Sequence, residues 1–277
     1  MNARLLFILL LFTIGALWYI IGYWRRKAGE AAFAAARLTE KSEERERYCR
    51  LAVMAGHRKA CRMFCLLHPE RFDGHSPHKP FKLRGIRISF YGYYYPSRYN
   101  ALLNDEQKAF CHSIYQFKQG DIHGIEFFKT CMNALQLKKR PYHIMFMPCS
   151  NWIKYGQRFK RLDWYIGKHR QDLTSGLYDV DICDARESLH EAKGGEKRIL
   201  ERNYLITGKI KGKEIIIIDD VLTTGQSVVD YKEEIERCGG EVVAAIFYGK
   251  TVTVPPLFLI KAHVWGGHIV RAITHEP

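Results

Sequence analysis

The residues from Ile215 to Ser227, IIIIDDVLTTGQS, hold the densest chemistry in the chain. Four isoleucines in a row suit a short strand buried on both faces. Asp219 and Asp220 follow where such a strand leaves the core, so their carboxylates can face a ligand without being buried. Thr223, Thr224, Gly225, Gln226 and Ser227 then form a small hydroxyl-rich loop, opening a helix expected over Val228–Cys238. A helix N-terminus offers unpaired N–H groups and the positive end of its dipole, and glycine allows close backbone approach. The loop suits a phosphate, and carboxylates a few residues upstream suit vicinal hydroxyls. Together they describe a sugar phosphate. The competing reading is a plain βα unit in which Thr224 and Ser227 only cap the helix.

Such a site needs strands that end at one edge. From Lys82 onward the pattern alternates strand and helix. Arg87–Tyr95 reads as a strand or strand pair, Gln107–Leu135 as helix interrupted near Gly120, and His143–Pro148 as a short buried strand. Trp152–His169 reads as a loop running into a helix, and GGEVVAAIFYG as a turn and strand. Continuous apolar strands alternating with helices give a parallel sheet covered on both faces. Ligands in such sheets bind outside the C-terminal ends of the strands. Cys149, Ser150 and Asn151 stand at that end of the His143–Pro148 strand.

The Ile215–Ser227 run resembles the phosphoribosyl pyrophosphate signature of type I phosphoribosyltransferases: four apolar residues, two acidic, then a TTGxS/T loop. Across about Arg87–Lys250 the chain is most similar to the ComF-like, amidophosphoribosyltransferase-related branch. Tyr155-Gly156-Gln157-Arg158-Phe159 stands loosely for that branch's RGFN segment, Ser113–Asp121 for its upstream helix, and Arg186–Asn203 for its mobile loop. The resemblance implies that Asp219 and Asp220 bind the ribose hydroxyls and that Thr223–Ser227 hold the 5′-phosphate. It also implies that Cys149, Ser150 and Asn151 form the pyrophosphate loop. Arg186, Lys193, Lys197, Arg198 and Arg202 would lie on the lid, facing the departing pyrophosphate. Magnesium would arrive bound through substrate oxygens, with no dedicated protein metal site.

Departures narrow the expectation. Thr223 stands where the purine-salvage branch carries an acidic residue, which argues against hypoxanthine or guanine as acceptor. The zinc ribbon that often precedes ComF-like domains and the N-terminal cysteine of glutamine amidotransferases are both missing. The eight cysteines have no CxxC pair and the twelve histidines no HExxH or HxxxH spacing, so neither a zinc site nor a disulfide framework is expected. The tyrosine-rich stretch Ser89–Tyr99 could stack bases, but a packed sheet edge is the expectation.

Composition sets the frame for these readings. With 277 residues, 47% apolar and 26% charged, the chain is globular rather than disordered or low-complexity. Its net charge of +14 is uneven: 18 basic against 7 acidic residues in 1–100, 16 against 12 in 101–200, and 9 against 10 in 201–277. The stretch carrying the acidic pair is the least basic, which weighs against nucleic acid there.

The basic excess follows an uncharged run, Leu5–Trp24, with Arg25, Arg26 and Lys27 directly after it. Twenty helical residues span roughly 30 Å, the thickness of a hydrocarbon core. Trp18, Tyr19, Tyr23 and Trp24 cluster at one end, as aromatic belts do. The cations place the remainder in the cytoplasm by the positive-inside rule. A cleaved signal is the alternative, but its apolar core is shorter, roughly 7–15 residues, and its charges come first.

The expected organisation is a single-pass anchor over 1–27, a helical hairpin over 28–72, a linker over 73–80 and an α/β parallel-sheet, type I phosphoribosyltransferase-like domain over 81–277. Within the hairpin, Tyr48–Leu67 resembles a Sel1-like or tetratricopeptide unit through Ala52, Ala55, Gly56 and Ala60, and could carry a protein partner. Three functions stay open: a phosphoribosyltransferase at the cell membrane, a non-catalytic sensor or adaptor using the same pocket, and a ComF-like DNA-handling factor.

Overall fold

The computed structural model describes residues 3–122, 124–182 and 203–274. They form two compact units. One is helical and comprises Met1–Gly74, Ser97–Asn104 and Thr253–Pro277; the other carries the sheet and comprises His75–Pro96 and Asp105–Val252.

The helical unit begins with α1, Ala3–Leu38, which runs unbroken through the apolar stretch and past the cations that end it. Helices α2 (Ser42–Met54) and α3 (Arg58–Leu67) follow, joined by a turn in which Gly56 takes φ +92°, and α4 (Pro69–Asp73) closes the segment. The α2–α3 turn is fastened to α1. Arg25 Nη2 donates to the Met54 carbonyl at 2.8 Å, and Phe33 stacks on His57 at 4.3 Å between ring centroids. His57 Nδ1 accepts from the Ala60 N–H at 3.2 Å and so caps α3. Alanines and cysteines let these helices approach closely, with Cys49, Ala52, Ala60, Cys61 and Cys65 all fully buried around Phe64.

The sheet unit opens with β1 (Phe81–Leu83) and β2 (Ile86–Tyr94), then α5 (Asp105–Gln119) and α6 (Ile125–Leu135). Gly120, at φ +80°, makes the break between the two helices, where a side chain would meet the Gln157 carbonyl at 2.4 Å. Next come β3 (Tyr142–Phe146), α7 (Trp152–His169), β4 (Leu173–Ser175), β5 (Val180–Ile182) and β6 (Tyr204–Ile206). The unit ends with β7 (Glu214–Leu222), α8 (Gln226–Arg237) and β8 (Glu241–Thr251). The chain continues into α9, Leu257–Thr274, in the helical unit.

The main sheet has the order β1-β2-β8-β7-β3-β4, with every neighbouring pair parallel except β1 and β2. Ile215–Ile218 of β7 lie at its centre with no exposed surface, between β3 and β8. Strands buried at every position need cover on both faces. α5 packs on β2 and β7, α6 on β2 and β8, α7 on β4, and α8 on β8. β5 and β6 form a separate antiparallel ribbon, with Ile182 opposite Tyr204.

Two expectations change and one holds. Trp152–His169 is helical from its first residue, because Asn151 caps it by accepting from the Lys154 N–H at 2.9 Å. β1 pairs β2 only at Ile86–Ile88, so the tyrosine-rich half of β2, from Ser89 on, is the packed sheet edge that was expected. Residues 97–104 and 253–274 pack with the helical unit rather than the sheet, because Ile260 and Val264 of α9 enter the core around Phe64.

Candidate functional site

β7 delivers Asp219 and Asp220 at the C-terminal edge of the sheet, beside the end of β3, where the Met147 N–H donates to the Ile218 carbonyl at 2.9 Å. The pair is not the open acidic edge expected from sequence. Asp220 is only 6% exposed, because cations from two helices close over it. Arg158 of α7 places Nη1 2.8 Å from Asp220 Oδ2 and 3.8 Å from Asp219 Oδ1, and Lys118 of α5 places Nζ 3.3 Å from Asp220 Oδ2.

The two carboxyls are driven apart. Burial and the charge on Asp220 push Asp219 up to about 7. Burial also acts to raise Asp220, but Arg158 and Lys118 outweigh it and hold Asp220 below the ordinary carboxylate range. Asp219 Oδ1 accepts from the Asp220 N–H at 2.7 Å. Arg158 keeps one unused donor, since its Nε is buried without a hydrogen-bond partner.

The loop after β7 is a second part of the site. Thr223, Thr224, Gln226 and Ser227 are exposed, and Gly225 supplies the positive φ of +79° that turns the chain into α8. No side chain caps α8 from Gly225, and the Gln226 N–H donates to Thr224 Oγ1 at 3.4 Å. The Gln226 amide bridges Asp230 and Arg84, the latter reaching from the β1–β2 turn at 2.7 Å. A Cβ on Gly225 would stand 2.3 Å from Leu83 Cδ2. Gly225→Ala should therefore cost at least about 1–2 kcal/mol from the left-handed backbone alone. It should also displace the Thr223–Ser227 loop, and chemical denaturation alongside phosphate binding measures both effects.

Cys149, Ser150 and Asn151 form the turn between β3 and α7. Burial pushes the Cys149 thiol up to about 12, so it is no nucleophile at neutral pH. The Asn151 side-chain oxygen is spent on the α7 cap. Asn203, directly before β6, donates through Nδ2 to the Cys149 carbonyl at 3.2 Å and the Ser150 carbonyl at 3.4 Å. Asn203 thus ties the start of β6 to this turn. Arg186 and Arg202, with Lys193, Lys197 and Arg198, lie outside the described residues.

The structure thus brings Asp219, Asp220 and Cys149 around Arg158 and Lys118, with Thr223–Ser227 following β7 as the turn into α8. Arg158, Lys118 and Arg84 were not singled out as site residues from the sequence. The signal was present for Arg158: it falls three residues after Tyr155 and four before Leu162, on the apolar face of α7. A charged residue inside a buried stripe needs a partner.

The site thus sits on a mostly parallel α/β sheet, with an acidic pair and a glycine-turned loop leaving one of its two central strands. Residues 171–257 match the family described as the phosphoribosyl transferase domain. The chain is similar to the orotate phosphoribosyltransferase of Sulfolobus acidocaldarius, 40% identical over 57 residues, which is 20% of this chain and 26% of that protein. It is also similar to the orotate phosphoribosyltransferase of Methanopyrus kandleri, 44% identical over 41 residues, covering 15% of this chain and 22% of that protein. The chain spans about a quarter of the length of the curated relatives it matches.

Proposed function

We propose that the protein is a membrane-anchored phosphoribosyltransferase of the ComF-like, amidophosphoribosyltransferase-related branch, with its sheet unit in the cytoplasm. The observation that carries this reading is the acidic pair, gripped by two cations, running directly into the TTGQS loop at the end of β7. Asp219 and Asp220 accept hydrogen bonds from the ribose hydroxyls. The N–H groups at the start of α8, with Thr223, Thr224 and Ser227, hold the 5′-phosphate. Residues Cys149, Ser150 and Asn151 present backbone to the pyrophosphate, because the thiol is buried and the Asn151 oxygen is engaged.

Arg158 offers its unused Nε–H to the leaving pyrophosphate, with Lys118 beside it. The acceptor nitrogen bonds to C1′ as the C1′–O bond to pyrophosphate breaks, and that electron pair leaves with the pyrophosphate. Fixed cations where charge accumulates favour this step. Two adjacent carboxylates are hard oxygen donors, and no cluster of three or more metal-ligating side chains exists among the described residues. That set fits Mg²⁺ brought in on substrate oxygens, where it would offset the charge of the pyrophosphate.

Calorimetry of the full chain in detergent tests the reading. Phosphoribosyl pyrophosphate with Mg²⁺ should bind, and a pool of nitrogenous bases should then release pyrophosphate. Binding without release would make the protein a sensor; no binding would reject the site.

The anchoring rests on α1, which is long and apolar enough to cross a membrane, and on Arg25, Arg26 and Lys27 following its uncharged run. Protease added outside intact cells should leave the sheet unit whole. Its digestion there would reverse the orientation.

A further inference from the structure

α9 buries one stripe and exposes another. Ile260 and Val264 enter the helical core, with Leu257 packed against it. On the opposite side stand Phe258, Leu259, Ala262, Trp265 and Gly266, with Phe258 68%, Leu259 47% and Trp265 41% exposed. A helix on a water-facing surface turns its polar residues outward. Here Lys261 and His263 fall on the two flanks of the wheel, and among the described side chains the outward middle has no polar one. A rimmed apolar face of this kind marks an interaction surface.

The packing of α1 indicates what covers it. The helical core begins where the uncharged run ends: Arg25 is bonded to the Met54 carbonyl, and a Cβ on Gly29 would touch Ala55 Cβ at 3.0 Å. Phe33 and Ala36 are already core residues. Arg25 and Phe33 are separated by about 12 Å of helix rise. With the apolar run in a bilayer, the α2–α3 turn sits at headgroup level, and α9 packs on these same two helices. Arg25, Arg26, Lys27 and Lys261 supply positive charge for an anionic lipid surface. Trp, Phe and Leu on one face with flanking cations is the composition of a helix lying in the membrane interface.

We propose that α9 is an interfacial membrane helix, its Phe258–Leu259–Ala262–Trp265 face immersed at the headgroup–acyl boundary beside the anchor. This rests on the anchoring reading given above. The full chain is placed in vesicles of phosphatidylcholine and phosphatidylglycerol whose acyl chains are brominated near the headgroups. The fluorescence difference between wild type and Trp265→Phe reports Trp265; the difference from Trp18→Phe with Trp24→Phe reports the anchor. Both components should lose most of their intensity. Quenching of the anchor component alone overturns the α9 proposal and leaves the anchor standing. Quenching of neither rejects the anchor, and the proposal with it. A detergent-stable dimer that Phe258→Glu dissolves would show that a second copy covers this face, which also overturns it.

Discussion

Asp220→Asn should lower the stability of the folded chain by about 3–5 kcal/mol, whereas Asp219→Asn should not lower it at all. The two carboxylates are sequence neighbours, yet their surroundings are opposite. Asp220 is the counter-charge for Arg158, itself buried between α7 and the strand end, and for Lys118. Removing that charge leaves a buried guanidinium whose remaining carboxylate partner among the described residues is Asp219, at 3.8 Å. Asp219 meets mainly burial and the repulsion of Asp220, so an amide of the same shape relieves both. Both variants should lose ligand-induced stabilisation, which for wild type is about 2.7 kcal/mol at a ligand concentration roughly 100 times Kd. Urea melts with and without phosphoribosyl pyrophosphate and Mg²⁺ separate these outcomes. Equal destabilisation by the two substitutions would contradict the ion-pair geometry.

A second large effect is expected in the pH dependence. The Asp219 carboxyl is raised from 3.8 to about 7 in the folded protein, so between those values the native state keeps a proton that the unfolded chain has released. Its contribution to stability is full below about pH 4 and is lost as pH rises through about 7. Asp220 shifts the other way, and its contribution is lost only as pH falls below the ordinary carboxylate range. The windows therefore do not overlap. His57, His68 and His143 are all lowered by burial and slope oppositely to Asp219 over part of the same range. The informative quantity is thus wild type minus Asp219→Asn. That difference should change by on the order of 2–4 kcal/mol between pH 4 and 8, in the sense that the substitution stabilises at high pH. Ligand that requires an ionised Asp219 should also release a proton on binding near pH 6.5, visible as a buffer-dependent calorimetric heat. A flat difference curve would place the Asp219 proton elsewhere.

Much of the fold was legible because its signals are local. The apolar runs of β3 and β7, the Gly120 break between α5 and α6, and the acidic pair with its TTGQS loop are each contained in a short stretch. The cations over the acidic pair were not legible in that way. Lys118 and Arg158 lie about a hundred and about sixty residues from Asp220, on helices whose rotation is fixed by Phe117, Tyr155 and Phe159 packing into the core. Their convergence also explains why Asp220 is buried where the sequence suggested an open carboxylate. The destination of α9 was hidden for a related reason. A mostly apolar segment after the last strand says that something must cover it, but only the packing of Ile260 and Val264 around Phe64 shows which unit it joins.

The continuity of α1 has a consequence for how the protein moves in a cell. A domain on a floppy leash samples a dome of space above the bilayer, its reach set by the slack in the leash. On the anchoring proposed above there is no slack, because the helix that would leave the lipid is the helix on which α2 and α3 are built. With α1 inserted, the helical unit diffuses in two dimensions at a fixed height and always shows the lipid the same side. Whatever docks on that unit must come to the membrane to meet it.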